Sequence, residues 1–506
     1  MRGILKTYHY LRYMKKLILS MVATVAISGT TYAQIYSPDA LKFSQTNYGS
    51  TARFKSMGGA QIGVGGDMSS IGGNPAGLGL FTKSEFSLTP EFNNFSGNAN
   101  FLNQNTKSSK DNLNLNHIGV VLFSPSIRVG GQDTQKGVVS SVFGIAYNRN
   151  NDFGANFNYG GSNPNNSIVD HFAEEANRDG LPDGSMQQYA YKGLLLDKDN
   201  QGYYATTKVP NTQLKSEIRS GSTSELTASG AINISNQVYI GASVSLVNVR
   251  YVNDSEFIES GTIESDNSKY NLSFRQNQES RGSGYNARLG VIVRPVENFR
   301  IGATLQSPSW MLIEDNTTWT LDSKTVGGEN PGSLYGDPEN YPFNYRVRTP
   351  LKGSLGASYV IAGKALISAD VDYVDYSTIR FSTDQGLAPD VILRENNAIR
   401  DNYKQAVNYR VGAEYKIDNA FSLRGGYGVN GSAIQGDDKD HFATQFYSGG
   451  LGYRVNNYYV DLAYQRVETN TELSPYLLGD NENPLEPVAD IKTSRNNVFL
   501  TFGLRF

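Results

Sequence analysis

Apolar and polar residues alternate with a period of two along most of the chain after residue 85. This period places successive side chains on opposite faces of a β-strand, so each such segment predicts a strand with one apolar face. We count fourteen segments, from the one that begins at Phe86 to the last at residues 498–506. Tight connections such as Ser235-Asn236 alternate with long polar ones. The long connections are residues 158–217, 253–282, 308–342, 378–402 and 469–493.

An even number of strands, with short turns at one end and long loops at the other, is typical of bacterial outer-membrane barrels. No run of about 18 apolar residues, the length of a transmembrane helix, follows the first 33 residues. The pattern therefore predicts an all-β fold, a 14-stranded antiparallel transmembrane β-barrel with long extracellular loops. We expect it in the cell outer membrane of a Gram-negative-type bacterium, in contact with outer-membrane lipids.

Strand parity also predicts which charged side chains face the lumen. In the segment that contains Tyr345 and Val347, the intervening arginines fall on the opposite, inward face. A lumen cation would suit a ligand that carries a carboxylate. The candidate contacts are Arg288, Arg346, Arg348 and Arg410. Inward acids, of which Glu225 and Asp372 are two, leave open the alternative of a lumen filled with salt bridges.

A glycine-rich stretch precedes the first strand. Residues 57–79 contain nine glycines among 23 residues, too few bulky side chains for a core of their own. A flexible linker is one interpretation. Asn74-Pro75-Ala76 and Asp67 favour the other, a segment packed against surrounding walls, because they form and cap turns.

At these residues the chain resembles the FadL/TodX family of outer-membrane transporters for hydrophobic compounds. The resemblance runs from about Gly49 through Asp67 and Asn74-Pro75-Ala76 to Phe81, and a strand-like segment follows directly. It implies a small N-terminal hatch that plugs a fourteen-stranded barrel and ends in the Asn-Pro-Ala motif. The hatch motif would comprise Asp67, Asn74, Pro75 and Ala76.

The resemblance also implies a kink in the third strand, which opens the barrel wall so that a hydrophobic ligand leaves sideways into the bilayer. In this chain the alternation of the third strand fails at Asn150, Asn151 and Asp152 and resumes at Phe153 and Gly154. Aspartate, asparagine and glycine disfavour regular strand. These five residues are the candidate lateral opening; the alternative is a strand that ends at Arg149 and continues as loop.

The first 33 residues have the pattern of an export signal. Basic Lys15 and Lys16 precede an apolar run at residues 17–27, and small residues precede Gln34. Met14 fits the initiator, which makes residues 1–13 an upstream extension. We expect a signal peptide at 1–33, a hatch at 34–82 and a transmembrane barrel at 83–506.

Two apolar patches in the predicted loops are candidates for ligand capture. Residues 167–176 have the pattern of an amphipathic helix with Ser167 as its N-cap and Phe172 on its apolar face. Trp310 and Leu312 lie just beyond a predicted strand end. The alternative for each patch is that loop side chains pack on one another.

Composition narrows the function. The chain has no cysteine, and its net charge of −3 argues against a nucleic-acid partner. Four histidines, none in a nucleophile or metal-ligand motif, argue against an enzyme or a metal site. We expect no cofactor, although a haem receptor that uses His171, Tyr203 or Tyr204 is an alternative, as is a structural or adhesive barrel.

The sequence thus predicts an outer-membrane protein that takes up hydrophobic small molecules, long-chain fatty acids or similar, by passive diffusion with lateral exit. No energy-coupling segment stands out near Gln34. The final strand, NVFLTFGLRF, resembles the signal that the barrel assembly machinery reads. We expect a monomer whose partner is the hydrophobic ligand.

Overall fold

The computed structural model describes residues 37–45, 47, 49–129, 133, 135–328, 331–383, 389–479 and 486–506. The predicted signal peptide at 1–33 lies outside these residues. Among the described helices, none is long and apolar enough to cross a membrane.

Fourteen strands form the wall. Four of them, β3, β7, β8 and β9 below, each consist of two segments separated by a few residues that are not in strand. The strands are β1 Glu85–Phe101, β2 Gln104–Pro125, β3 Val138–Asp152 with Ala155–Asn163, β4 Thr207–Ile234, β5 Val238–Ile263, β6 Lys269–Val296, β7 Phe299–Gln306 with Trp310–Val326, β8 Glu339–Arg348 with Lys352–Ile361, β9 Ala365–Asp375 with Arg380–Ser382, β10 Gln405–Lys416, β11 Phe421–Asn430, β12 Thr444–Val455, β13 Tyr458–Leu473 and β14 Ala489–Arg505.

Each strand pairs antiparallel with its neighbour in sequence, and β1 pairs with β14 from Glu85↔Arg505 to Asn100↔Asp490. This last pairing closes the sheet into a barrel. The predicted 14-stranded antiparallel barrel is confirmed.

The strands are longer than the sequence pattern indicated. β4 and β6 each contain 28 residues, whereas a bilayer needs about 10 residues of tilted strand. The outer halves of β3 to β7 reach into the predicted loops at 158–217, 253–282 and 308–342, so those loop boundaries were wrong. The outer halves project beyond the lipid, where both faces meet polar surroundings, and the alternation that marks a strand is lost.

Two helices and a small hairpin cover the outer end of the barrel. α3 spans Ile168–Asp179 and α4 spans Met186–Lys192, and the strands Leu196–Lys198 and Tyr203–Ala205 follow. The predicted helix and N-cap are confirmed, since the Ser167 side chain accepts a hydrogen bond from the Val169 N–H. These elements bury an apolar cluster against the outer halves of β5, β6 and β7.

The face assignment in β8 reverses halfway along the strand. Tyr345 and Val347 are buried at the lumen side, but beyond residues 349–351 the buried residue is Lys352. Thr349 and Pro350 are both inward, so two consecutive residues share a face at the proline, which cannot donate a ladder hydrogen bond. On the extracellular side of this point, the residues predicted to face outward therefore face the lumen, and those predicted to face the lumen face outward.

The N-terminal residues fill the lumen. Helices α1 (Ser37–Ser44) and α2 (Ala52–Ser56) are followed by short 3-10 helices at Met68–Ile71 and Pro75–Leu80. Met68 and Leu78 are fully buried against wall residues that include Val121 and Val142. The glycine-rich stretch is thus a packed plug and not a linker. On the outer side, helix α5 (Pro389–Asn402) lies in the connection between β9 and β10.

Candidate functional site

The Asn-Pro-Ala motif lies against the inner wall. Asn74 is 1 % exposed and donates from Nδ2 to the carbonyl oxygens of Ile62 at 2.7 Å and Val291 at 3.4 Å. Its Oδ1 accepts from the Ala76 N–H at 3.1 Å and so caps the 3-10 helix that Pro75 begins. One side chain thereby joins two segments of the plug and connects both to β6.

Asp67 has a matching role within the plug. Its Oδ1 accepts from the Ser69 N–H at 3.0 Å and from the Thr51 hydroxyl at 2.8 Å. The first bond caps the helix Met68–Ile71, and the second connects it to the start of α2. These bonds fix the local shape of the plug.

Wall glycines make room for the motif, which the sequence analysis did not anticipate. A Cβ at Gly290 would lie 2.0 Å from Asn74 Oδ1, and one at Gly302 would lie 2.0 Å from the Ile62 carbonyl oxygen. A Cβ at Gly241 would lie 2.4 Å from the Pro75 backbone. Glycines at inward strand positions were the available signal, because such positions bring another backbone close.

The third strand is broken where the sequence pattern failed. β3 stops at Asp152 and restarts at Ala155. Between them the Phe153 N–H still donates to the Gly221 carbonyl oxygen at 3.1 Å, whereas the Gly154 N–H donates to Asp152 Oδ1 at 2.7 Å. Opposite them, Gly221 of β4 has a φ of 108°, a backbone conformation that glycine adopts readily. We call residues 153–154 the β3 break.

Beyond the β3 break the wall has no backbone ladder between β2 and β3. Along the described strands, their pairing runs from Pro125↔Ser140 only to His117↔Asn148. The outer segment of β3, Ala155–Asn163, pairs with β4 alone, while β2 remains paired with β1. Along this line side-chain contacts take the place of the ladder, among them the ring contact of Phe95 with Phe157 at 5.4 Å between centroids.

Side chains bridge the gap. Asn114 Nδ2 donates to Asp152 Oδ2 at 3.0 Å, and the Ser108 hydroxyl donates to the Asn156 carbonyl at 2.5 Å. Such bonds break one at a time, unlike a cooperative ladder. Asn150, Asn151 and Asp152 are still in strand, so the interruption falls at the end of the predicted group.

A cavity of about 300 Å³ lies inside the wall at the β3 break. Its apolar lining includes Phe95, Phe153, Phe157 and Tyr251. Phe153 also contacts Phe43 of α1, at 5.9 Å between ring centroids. The break thus borders an aromatic chamber that the plug helix closes on one side.

The charge around this chamber is mainly positive. Its lining includes the acids Glu91 and Asp152, and five cations, which are Lys42, Lys55, Arg149, Arg219 and Arg495. Arg149 lies 3.3 Å from Asp152, and Arg495 lies 3.9 Å from the same carboxylate. Arg495 Nη1 is buried and hydrogen-bonds no described residue.

Arg288 and Arg410, two of the predicted carboxylate contacts, face the lumen but already have acidic partners. Arg288 is 1 % exposed, with Nη2 2.8 Å from Glu225 Oε2. Arg410 Nη1 lies 2.6 Å from Asp372 Oδ2. The lumen around them matches the salt-bridge alternative.

The prediction that Arg346 and Arg348 point inward was wrong. Both are exposed on the outer face, because the parity of β8 reverses at Pro350. Trp310 and Leu312 were also misplaced: they belong to β7 and face outward, 41 % and 44 % exposed, so they form no loop patch. Phe172 is 1 % exposed within the outer apolar cluster, as its packing alternative required.

The family model for outer membrane protein transport proteins (OMPP1/FadL/TodX) matches residues 192–474, more than half of the chain. The chain belongs to the OMPP1/FadL/TodX family. The predicted family is thereby confirmed, as is the assignment of the chain to the outer membrane as a transport protein.

Solved structures of FadL/TodX-type proteins share the fold. The Pseudomonas putida toluene transporter TodX is 14 % identical, with a TM-score of 0.52 over 90 % of this chain and 98 % of that one. A Pseudomonas aeruginosa FadL homologue is 12 % identical, with a TM-score of 0.50 over 91 % and 99 %. No curated protein matches the chain by sequence.

Proposed function

We propose that this protein takes up hydrophobic small molecules, long-chain fatty acids or similar, by passive diffusion and releases them sideways into the bilayer. The lost pairing between β2 and the outer segment of β3, beside an aromatic chamber, carries the proposal. Family membership favours this function over a haem receptor or an adhesive barrel. It also favours a transport role without enzymatic activity.

Lateral release suits an apolar cargo. Each methylene that stays out of water saves about 0.8 kcal/mol, so a long acyl chain gains from a route that never crosses an aqueous pore. In the proposed route the chain of the ligand occupies the chamber at Phe95, Phe153 and Phe157. An acidic head group, where present, lies near Arg495 and Arg149, and the ligand leaves between Asn114 and Asp152.

The proposal includes the domain organisation and the partners. Residues 1–33 are a signal peptide that is removed, 34–82 form the hatch and 83–506 form the barrel. The hatch motif at Asp67 and Asn74-Pro75-Ala76 keeps the lumen closed to water. The protein acts as a monomer among outer-membrane lipids, and the barrel assembly machinery reads its C-terminal strand.

Cross-linking the gap tests the route, and the lack of native cysteines makes the chemistry specific. Asn114→Cys with Asp152→Cys is joined by a short thiol-reactive linker that reduction cleaves. Uptake of a fluorescent long-chain fatty acid falls by about tenfold or more, because the remaining aqueous path costs about 0.8 kcal/mol per methylene. Reduction restores it.

The matched control is Ser96→Cys with Ser109→Cys, a directly paired position in the intact ladder between β1 and β2. The same linker there leaves uptake unchanged. Equal uptake by the two linked proteins would contradict lateral release through the gap.

A further inference from the structure

A row of outward side chains crosses four neighbouring strands. In the ladder, Trp310 of β7 pairs with Tyr285 of β6 on one side and with Arg348 of β8 on the other. Arg348 pairs in turn with Arg380 of β9. Tyr285 and Trp310 stack at 5.5 Å between ring centroids. We call these four residues the interface row.

An apolar groove of about 490 Å³ lies in the outer wall on the periplasmic side of this row. Two further rows of paired residues line it. They are Leu289, Leu305, Gly353 and Tyr373, then Val291, Ala303, Leu355 and Val371. The groove is open at Gly353 because this residue has no side chain, and a Cβ there would meet no atom within 4 Å. We call this depression the outer groove.

The interface row marks the outer edge of the lipid belt. Apart from Ser307, outward residues are apolar up to Tyr285 in β6 and Leu312 in β7, and the next ones along are Ser283 and Glu314. Stacked aromatic rings at such a boundary are typical of the girdle at the head-group level. The outer groove therefore faces acyl chains, and the arginines face head groups.

The pairing of Arg348 with Arg380 is unfavourable by itself. Like charges directly opposite each other on paired strands repel. The other neighbour of Arg348 is Trp310, and within the described residues no carboxylate lies within salt-bridge distance of Arg348. Arg346 adds a third outward guanidinium one row further out, paired with Leu312 and Ser382.

Among the residues that the structure describes, two acids lie near the cluster, and neither is directly opposite Arg348. Glu314 is diagonal to Arg346 across the β7–β8 ladder. Asp375 Oδ1 accepts from the Ser377 N–H at 3.1 Å and from its hydroxyl at 2.6 Å, so one oxygen is occupied locally. Arg380 Nη1 donates to the carbonyl oxygens of Ser377 and Ile379, and no carboxylate of the described chain lies within salt-bridge distance of it.

We propose that Arg348 and Arg380 bind the phosphate of an anionic membrane lipid whose acyl chain lies in the outer groove at Gly353. A phosphate accepts from both guanidinium groups and removes their repulsion, since arginine presents several donors to a phosphate oxygen set. The groove supplies the apolar half of the recognition directly below. Neither half alone selects such a lipid. The two halves together do, because Arg348 lies on the extracellular side of the groove, five residues from Gly353 in the same strand.

Native mass spectrometry of the full-length protein in detergent tests the site. The probes are diphosphorylated lipid A, with several acyl chains, and zwitterionic phosphatidylcholine. Wild-type protein retains lipid A at least tenfold more tightly than phosphatidylcholine, in line with charge-assisted bonds at roughly twice the strength of neutral ones. Arg348→Gln with Arg380→Gln reduces the lipid A affinity by about a hundredfold, since each of the two lost charge-assisted bonds corresponds to about a factor of ten.

Two further variants separate the halves of the site. Arg281→Gln is the matched control, because Arg281 also faces outward on β6 but lies 2.7 Å from Glu279, and its lipid A affinity stays at the wild-type value. Gly353→Leu fills the outer groove and lowers the affinity for both lipids by a similar factor. Heat-modifiable electrophoretic migration of each variant verifies that the barrel is folded.

Equal lipid A affinity in wild type and the double arginine variant would overturn the proposal. Equal retention of lipid A and phosphatidylcholine by the wild type would also overturn it, since the groove would then bind hydrocarbon without regard to the head group. Fatty-acid uptake is measured in parallel, and its loss in the gap-linked protein of the transport test has no bearing on this site.

Discussion

The barrel wall is interrupted at two heights, and the two interruptions differ in structure. At the β3 break the outer segment of β3 keeps only one of its two neighbours. The second interruption crosses residues 307–309 of β7 and 349–351 of β8, and each strand contains a proline there. Beyond it the ladder resumes at Trp310↔Arg348. We call this second site the proline break.

The cavities on the lumen side of the two breaks also differ, in volume. The cavity at the β3 break measures about 300 Å³, whereas the one at the proline break measures about 60 Å³. The Ser309 N–H donates to the Thr349 hydroxyl at 2.7 Å, and the Thr349 N–H donates back to Ser309 O at 3.0 Å. A break opens the wall only where the ladder fails to resume and space lies behind it.

The largest expected effect concerns transport through one break and not the other. Ser309→Cys with Thr349→Cys, joined by the linker used at Asn114 and Asp152, leaves fatty-acid uptake within about twofold, because the ladder already closes this part of the wall. The linked β3 gap lowers uptake by about tenfold. A comparable loss from the proline-break linker would remove the distinction between the two breaks.

Packing at the β3 break gives the next effect. Phe153→Ala removes ring contacts with Phe43 and Tyr251, whose centroids lie 5.9 and 5.5 Å away, and costs about 3–5 kcal/mol locally. We expect α1 to loosen. Maleimide labelling of a cysteine introduced at Ser44 becomes faster, while Phe143→Ala, at an outward position, leaves it unchanged. Unchanged labelling in Phe153→Ala would show that α1 is held by other contacts.

The wall next to the proline break is backed by the hatch, which predicts a smaller effect. Gly290→Ala drives a Cβ into Asn74 Oδ1 and costs about 1–3 kcal/mol of overpacking. Urea unfolding in lipid vesicles detects the loss. Gly230→Ala is the control, since its Cβ would meet only Val142 O, at 3.9 Å. Equal stability of both variants would mean that Asn74 moves away from the added methyl group without loss of stability.

Thr349→Ala gives the smallest effect. It removes the hydroxyl that accepts from the Ser309 N–H and leaves a buried donor without that partner, which costs about 1 kcal/mol or slightly more. The unfolding midpoint falls accordingly and uptake stays normal. Reduced uptake at unchanged stability would assign the proline break a part in transport.

The fold could be predicted from the sequence in the part of the barrel that contacts lipid, where apolar and polar residues alternate. Within the bilayer, a polar outward residue is costly and an alternating strand results, so the fourteen strands could be counted. Above the bilayer this constraint ends, and the outer halves of β4 and β6 had no readable signal. The reversal at Pro350 was equally invisible, because alternation predicts faces only along an unbroken strand.

The site was predictable in part for the same reason. The sequence pattern located the irregularity of β3 to within a few residues, since Asp152 and Gly154 disfavour strand. It could not show that β2 stays with β1 while β3 turns away, because pairing partners leave no mark on one strand. Nor could it foresee that Arg288 is neutralised by Glu225, 63 positions away in the chain.

The close contact between wall glycines and plug backbone constrains biogenesis. The motif fits against the wall only because the wall has no side chains where it meets the plug, at Gly241, Gly290 and Gly302. A finished plug could not slide past the finished wall without meeting the larger inward residues on the way. The plug therefore enters the lumen either as an unfolded chain or while β1 and β14 are still apart, and not as a folded body through a closed wall.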